Sequence, residues 1–434
     1  MQFVSTRGGV AAVGFGAALR QGLAADGGLY VPETWPSLPL DAFAEQGTLA
    51  DIAATLIHAF SANDALDAQL GRITADAFNF PIPLTPIDAS GRYEVLELFH
   101  GPTAAFKDVG ARFLAATLAS LRRADEPVTQ ILVATSGDTG GAVAAAFHQR
   151  PGLAVTVLFP EGLVSPTQQQ QLTCWGGNVR SLAVRGSFDD CQRLVKEAFS
   201  DPALRARFEL SSANSINLGR LLPQASYYAR ASLSVWRRFG CKANFIVPTG
   251  NLGNALACVW ARHLGLPIDR IVLGVNANRT IADFLDHGSW QPRASQPTLA
   301  SAMDVGNPSN MERLRHLLPS MESMRAAVSA VSVDDVSIRA RIAADFASYQ
   351  RIWCPHTAVA AEIYAQLPAA DKVARHWIIV ATAHPAKFSE IVRPLVGGAL
   401  QTPPSLKNLY DRPSQFEVVP ADLAALRSML LAAT

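Results

Sequence analysis

ILVATSGDTGGAVAAAF, residues 131–147, reads as a buried strand, a glycine-rich turn and a helix. The run ILVAT is apolar throughout and stops at Ser and Gly, and GAVAAAF repeats small apolar side chains at helical spacing. FIVPTGNLGNALACVWARHLG, residues 245–265, repeats the plan. Working outward, TQILVAT, LAVTVLFP, NVRSLAV, NFIVPT, RIVLGVNA and HWIIVAT are all short runs rich in Val and Ile. Between them lie helical patterns such as DDCQRLVKEAFS and NALACVWARHLG. Strands apolar on both faces and separated by helices predict an α/β fold of open parallel sheets with helices on both faces. Ligands on such folds bind in loops beyond the carboxyl ends of the strands.

The first 90 or so residues differ. They carry helical segments such as LADIAATLIHAF and end in the Pro-rich FPIPLTPID at 80–88, which predicts a mostly helical N-terminal domain over 1–92. A second boundary after SSANSINLG gives a small α/β domain over 93–215 and a large one over 216–434. The chain has 434 residues, 49% hydrophobic and 17% charged, with a net charge of +1, so it has ample core material and no global field for nucleic acid or an anionic membrane. No apolar stretch approaches the roughly 18 residues of a membrane span. The glycine-rich start does not read as a secretory signal. Cys174, Cys191, Cys241, Cys258 and Cys354 are odd in number, scattered and without a CxxC, so they are expected as reduced thiols in a cytoplasmic protein, with no metal site.

Four segments can carry chemistry. In LFHGPTAAFKDVGARFLAATLASLRR, 98–123, a helix is expected to start near Thr103 or Asp108, with Lys107 near its first turn beside Phe106. A helix N-terminus and apolar neighbours lower an amine's pKa, and only the neutral amine attacks a carbonyl. A lone lysine is far more often a solvated helix residue. In the second segment, Thr135, Ser136, Gly137, Asp138 and Thr139 place hydroxyls and N–H groups at a helix N-terminus, which suits a carboxylate; a cap without a ligand explains them equally well. In the third, Gly250, Asn251, Leu252, Gly253 and Asn254 present successive N–H groups suited to a phosphate, in a loop that is neither a Walker A loop nor a GxGxxG. In the fourth, HWIIVATAHPAKF at 376–388, a strand ends at Thr382, whose hydroxyl can meet a ring nitrogen or simply close the strand. His384 there is read as structural.

Taken in this order, the four segments resemble the tryptophan-synthase-like (fold-type II) pyridoxal-phosphate enzymes. Within them GLAADGGLYVP, HGPTAAFKD, TSGDTGGA, SSANSINLGRLLPQ, VPTGNLGNA, SAMDVGNPSN and TAHPAKF, which span residues 22 to 388, resemble the threonine synthase family. Asp138, where many relatives carry Asn, fits that family; Leu252 stands where relatives often carry Phe. The resemblance implies pyridoxal 5'-phosphate held as a Schiff base on Lys107. It implies a cofactor phosphate on the 250–254 loop, a ring nitrogen at Thr382 and a substrate carboxylate on the 135–139 loop. The implied reaction turns O-phospho-L-homoserine and water into L-threonine and phosphate. SSANSINLGR offers Ser212, Asn214, Asn217 and Arg220, of which Ser212, Asn217 and Arg220 are expected at the substrate phosphate; Arg220 is read equally well as a structural ion pair. The chain is expected to act as a monomer or homodimer. A serine or threonine dehydratase of the same group, and a non-catalytic metabolite-binding relative, are the alternatives.

Overall fold

The computed structural model describes residues 1–432 except 46, 124 and 399. Strands β1 (Gln2–Ser5), β2 (Val13–Gly14) and β3 (Tyr30–Pro32) form an antiparallel sheet in the order β2-β1-β3. This corrects the expectation of a mostly helical N-terminal domain. Strands of two to four residues are too short to show alternation in sequence, yet Phe3, Tyr30 and Val31 are buried. The helical reading holds for LADIAATLIHAF, which forms the helix Leu49–Ser61 behind a Thr48–Asp51 capping box.

β4 (Leu84–Pro86), β5 (Tyr93–Glu97), β10 (Ala243–Pro248), β11 (Ile268–Val275), β12 (Ser329–Ser332) and β13 (His376–Ala381) make a six-stranded sheet in the order β12-β11-β10-β13-β5-β4. Only β4 runs antiparallel to its neighbour. β6 (Thr129–Ala134), β7 (Leu153–Pro160), β8 (Val179–Arg185), β9 (Glu209–Ser212) and β14 (Glu417–Pro420) make an all-parallel sheet in the order β14-β8-β7-β6-β9. Side-chain alternation builds both faces. In β6, Ile131 and Val133 enter one apolar cluster and Leu132 and Ala134 another. In β13, Ile378 and Val380 join Leu256 and Trp260, whereas Trp377 and Ile379 join Val359 and Ile363 on the other side. Both faces are covered, which is why these strands read as continuous apolar runs.

The sheets are not contiguous in sequence. β5 precedes the lysine helix yet pairs with β13, and β14 follows the whole large sheet yet pairs with β8. Boundaries at 92/93 and 215/216 therefore cut across the sheets rather than between them. Four helices position the site: α1 (Lys107–Leu121), α2 (Asp138–Phe147), α3 (Gly253–His263) and α4 (Pro355–Gln366). Val109, Phe113, Leu114 and Leu118 of α1 are buried, each worth about 1.5–3 kcal/mol, while Phe106 and Leu121 are only half-buried. Gly110 lets α1 touch the short helix Leu218–Leu221 that carries Arg220: a Cβ there would lie 2.3 Å from the Arg220 carbonyl oxygen.

Candidate active site

The segment before Lys107 is fastened to the end of β13. Phe106 N–H donates to the Thr382 carbonyl at 2.9 Å, His384 N–H donates to Ala104 at 3.0 Å, and Ala105 bridges Ala383. Lys107 thus starts α1 directly beside Thr382. The turn is closed by buried Asp108, which accepts the Thr103 N–H at 2.9 Å and its hydroxyl at 2.6 Å. Burial lowers the Lys107 ammonium to a pKa of about 8; Asp138 opposes this, and Lys387 and Arg220 add to it. The direction is the one expected from the sequence, but its main cause is desolvation.

In the 135–139 loop the buried Thr135 hydroxyl faces inward. It accepts the N–H groups of Gly137 at 3.0 Å and Gly140 at 2.9 Å and donates to Gly137 O at 3.1 Å. Gly137 sits at φ +139°, where a Cβ would lie 2.5 Å from the Gln168 amide. Among the described residues the N–H groups of Ser136, Asp138 and Thr139 have no acceptor, and the Ser136 side chain is exposed. These donors, at the N-terminus of α2, are the ones open to an anion. Asp138 faces Lys387, whose buried Nζ lies 2.8 Å from Oδ1 and also donates to Thr103 O at 3.0 Å. Burial alone would raise the Asp138 pKa, yet the Lys387 and Lys107 ammoniums hold it well below the carboxylate range. Sequence reading missed Lys387; its one signal was a second lysine inside the quoted TAHPAKF.

Across the cavity, Leu252 takes the left-handed conformation at φ +64° as the N-cap of α3. None of the backbone N–H groups of residues 250–254 finds an acceptor among the described residues. Asn254 accepts hydroxyls from Tyr227 and Tyr228, and its buried Nδ2 has no partner among the described residues. Asn251 ties the loop to its surroundings, donating to Ser215 Oγ at 2.6 Å and accepting Ser309 N–H at 2.5 Å. A Cβ at Gly250 would lie 2.6 Å from Met303 Cα, whereas one at Gly253 would meet only ordinary contacts at 3.6 Å. Gly250, not Gly253, is the glycine required by packing.

The residues expected at a substrate phosphate separate. Asn217 is fully buried and turned away from the cavity: it caps the helix Leu218–Leu221 through Gly219 N–H at 2.8 Å and donates to Leu19 O and Ser212 O, both at 3.0 Å. Ser212 accepts Asn214 N–H at 3.3 Å and lies outside the cavity wall as well. Arg220 lines the cavity, donates to Ala213 O, and keeps a buried Nε without a partner among the described residues; burial lowers its pKa to about 10 against the pull of Asp108. His384 accepts Ala386 N–H at 3.2 Å as the cap of its turn.

Lys107, Ser136, Asp138, Arg220, the 250–254 loop and Thr382 all line one cavity of about 230 Å³. Lys107, Arg220 and Arg293 line it together with Asp138, Asp189 and Asp304, and Lys387 stands against Asp138, so its capacity for anions rests on the open N–H groups and the buried cations rather than on a net charge. A wider groove of about 960 Å³ at the opposite, amino end of the six-stranded sheet carries none of these residues. Unpaired N–H groups, the orphaned Asn254 amide, a depressed lysine and the Thr382 hydroxyl together fit a phosphorylated pyridine aldehyde.

Three family descriptions match the chain: "Threonine synthase N terminus" over residues 2–78, "Pyridoxal-phosphate dependent enzyme" over 81–383 and "Threonine synthase, C-terminal" over 357–430. The threonine synthase of Escherichia coli (strain K12) is 38% identical over 421 residues, covering 96% of each chain, and that of Pseudomonas aeruginosa is 31% identical, covering 99% of this chain and 98% of the relative. Among solved structures, Escherichia coli threonine synthase superposes with a TM-score of 0.91 at 35% identity over 100% of both chains. The pyridoxal-phosphate-bound threonine synthase of Brucella melitensis gives 0.91 at 33% identity over 99% of this chain and 98% of that one. With profile, sequence and fold agreeing from end to end, the chain belongs to the threonine synthase family of pyridoxal-phosphate-dependent lyases.

Proposed function

We propose that the cavity converts O-phospho-L-homoserine and water into L-threonine and phosphate, with each loop bound to one part of the reactants. The observation that carries this reading is the convergence of a desolvated lysine with two helix N-termini whose N–H groups lack acceptors, all in one cavity. The residues of 250–254 would hold the cofactor phosphate through backbone N–H groups and the Asn254 amide, and Thr382 would face the ring nitrogen. When bound, pyridoxal phosphate supplies the electron sink for the carbon acids of the substrate. Thr382 would offer that ring nitrogen a neutral hydroxyl rather than a carboxylate, which would moderate the sink.

Ser136, Asp138 and Thr139 donate backbone N–H groups to the substrate carboxylate. The free Lys107 amine would take and return protons at the α and β carbons of the substrate; an amine whose pKa is about 8 serves both directions near neutral pH. Arg220, with a spare buried Nε–H, binds the phosphate that leaves from the γ carbon. Ser212 and Asn217 drop out of this role because their side chains are committed elsewhere. No helix among the described residues is long and apolar enough to cross a membrane. We place the enzyme in the cytoplasm as a monomer or homodimer, consistent with its unpaired cysteines.

The test is phosphate release from O-phospho-L-homoserine, compared with deamination of free serine and threonine. Lys107→Ala should abolish release and Lys107→Arg should not restore it, because arginine keeps the charge but is not a nucleophilic amine. Substantial activity in Lys107→Arg removes the assignment. Turnover of free hydroxy-amino acids at a comparable kcat/KM moves the enzyme to the dehydratases.

A further inference from the structure

His356 is the second residue of α4 and lines the cavity with Lys107, Asp138 and Thr382. It is 3% exposed. Its Nε2 accepts the backbone N–H of Ala302 at 3.0 Å. A ring nitrogen that accepts from an amide carries no proton, so this contact assigns the proton of the neutral imidazole to Nδ1. Nδ1 is buried and has no hydrogen-bond partner among the described residues. The ring is held in place by Phe388, at 4.9 Å between centroids. Buried donors are almost always satisfied, so one left open in the wall of a binding cavity marks the place of an acceptor supplied from outside the chain. None of the steps above uses this residue.

We propose that His356 is a ligand-binding residue, whose Nδ1–H donates to an anionic oxygen of the molecule held beside Lys107. This rests on the reading of the cavity as the pyridoxal-phosphate and phosphohomoserine site. The oxygen belongs either to the cofactor ring or to the amino-acid substrate; the chemistry recognised is the same. The donor is permanent rather than titrating. Burial, reinforced by the Lys107 and Lys387 ammoniums and opposed by Asp138, lowers the ring's pKa to about 4. A neutral imidazole adds a directed N–H without adding a charge.

Two substitutions separate the ring's two nitrogens. His356→Asn keeps an amide donor near the place of Nδ1 and loses the brace to Ala302. His356→Gln reaches Ala302 with its carbonyl and leaves nothing at Nδ1. For each holoenzyme, kcat/KM for O-phospho-L-homoserine, the melting temperature, and the Kd of pyridoxal phosphate for the stripped protein are measured. A lost bond to a charged oxygen is worth about 10- to 100-fold. His356→Gln is expected to lose that factor, and His356→Asn to stay within a few-fold of wild type on the same quantity. If the loss falls on cofactor Kd, the oxygen is the cofactor's. If it falls on kcat/KM at unchanged Kd, the oxygen is the substrate's. The proposal is overturned if Asn is impaired as much as Gln with a parallel fall in melting temperature, since the Ala302 brace is then the whole role. It is equally overturned if Gln behaves as wild type. A wild-type protein that binds no pyridoxal phosphate, or an active Lys107→Ala, instead defeats the underlying reading whatever the His356 variants do.

Discussion

Lys107 is where burial becomes chemistry, and the same burial makes it a source of instability. Its pKa falls from the ordinary 10.5 to about 8, so between those values the unfolded chain binds a proton that the folded chain has released. Stability therefore rises with pH across that window, and the penalty is fully present below pH 8. Lys107→Met in cofactor-free protein is expected to raise the melting temperature at pH 7, by at most about 3 kcal/mol of stability, with the gap closing towards pH 10.5. A gap independent of pH would show that the amine is not desolvated. Arg220 and Asn217 make a second contrast. Arg220→Ala should lower kcat/KM for phosphohomoserine about 10- to 100-fold while leaving the cofactor absorbance intact. Asn217→Ala removes a helix cap, so its expected effect is about 0.5–2 kcal/mol of stability, read by denaturant titration. A substrate defect in Asn217→Ala larger than that in Arg220→Ala would restore the original pairing of Asn217 with the substrate phosphate. The sequence SSANSINLG shows the polar side chains but not their directions. Asn217 reads as a ligand residue until the structure shows it bonded to Gly219, Leu19 and Ser212.

At the scale of elements, each loop is shaped by glycines with different reasons for being there. Gly250 has no space for a side chain because Met303's backbone approaches it, whereas Gly253 has ordinary room. Gly250→Ala is expected to displace the 302–306 segment and weaken pyridoxal phosphate binding at least tenfold, and Gly253→Ala to leave it within a few-fold. Titration of cofactor into both stripped variants checks this; equal losses would mean that backbone approach of the ligand, not packing on Met303, sets the requirement. Legibility followed element length. β6, β7, β8, β10, β11 and β13 are six to eight residues long with both faces buried, and every one is visible as an apolar run. β1, β2 and β3, two to four residues each, leave no such signature. The loops could be read because glycine, serine and asparagine cluster at strand ends for a physical reason. Lys387 and His356 could not, because their meaning lies in partners 249 and 54 residues away, Asp138 and Ala302.

At the scale of the molecule, the site is a seam between two sheets: the 135–139 loop rises from the five-stranded sheet and the 250–254 loop from the six-stranded one. No local pattern reveals that the C-terminus returns to complete the smaller sheet, since pairing of β14 with β8 spans more than 230 positions. That return is expected to govern substrate binding more than cofactor binding. β14 and the helix Leu423–Ala432 bury Val419, Leu426 and Leu430 in the cluster that also holds Leu132 and Ala134 of β6. Arg180 reinforces the join through Glu417 at 2.7 Å and the Met429 carbonyl at 2.5 Å. At about 1.5–3 kcal/mol per buried side chain, the three contribute up to roughly 5–9 kcal/mol, comparable with the roughly 5–15 kcal/mol that holds a whole domain folded. A chain ending at Ser414 should therefore loosen the small sheet and with it the N–H groups of Ser136, Asp138 and Thr139. The 250–254 loop, carried by β10 inside the large sheet, is left with its own packing. The expected result is loss of phosphohomoserine turnover with pyridoxal phosphate affinity kept within about tenfold, together with selective loss of hydrogen-exchange protection in β6 to β9. If cofactor affinity and protection of β10 and β13 vanish in the same step, the two sheets fold as one cooperative unit, and the 135–139 loop has no separate dependence on the C-terminal strand.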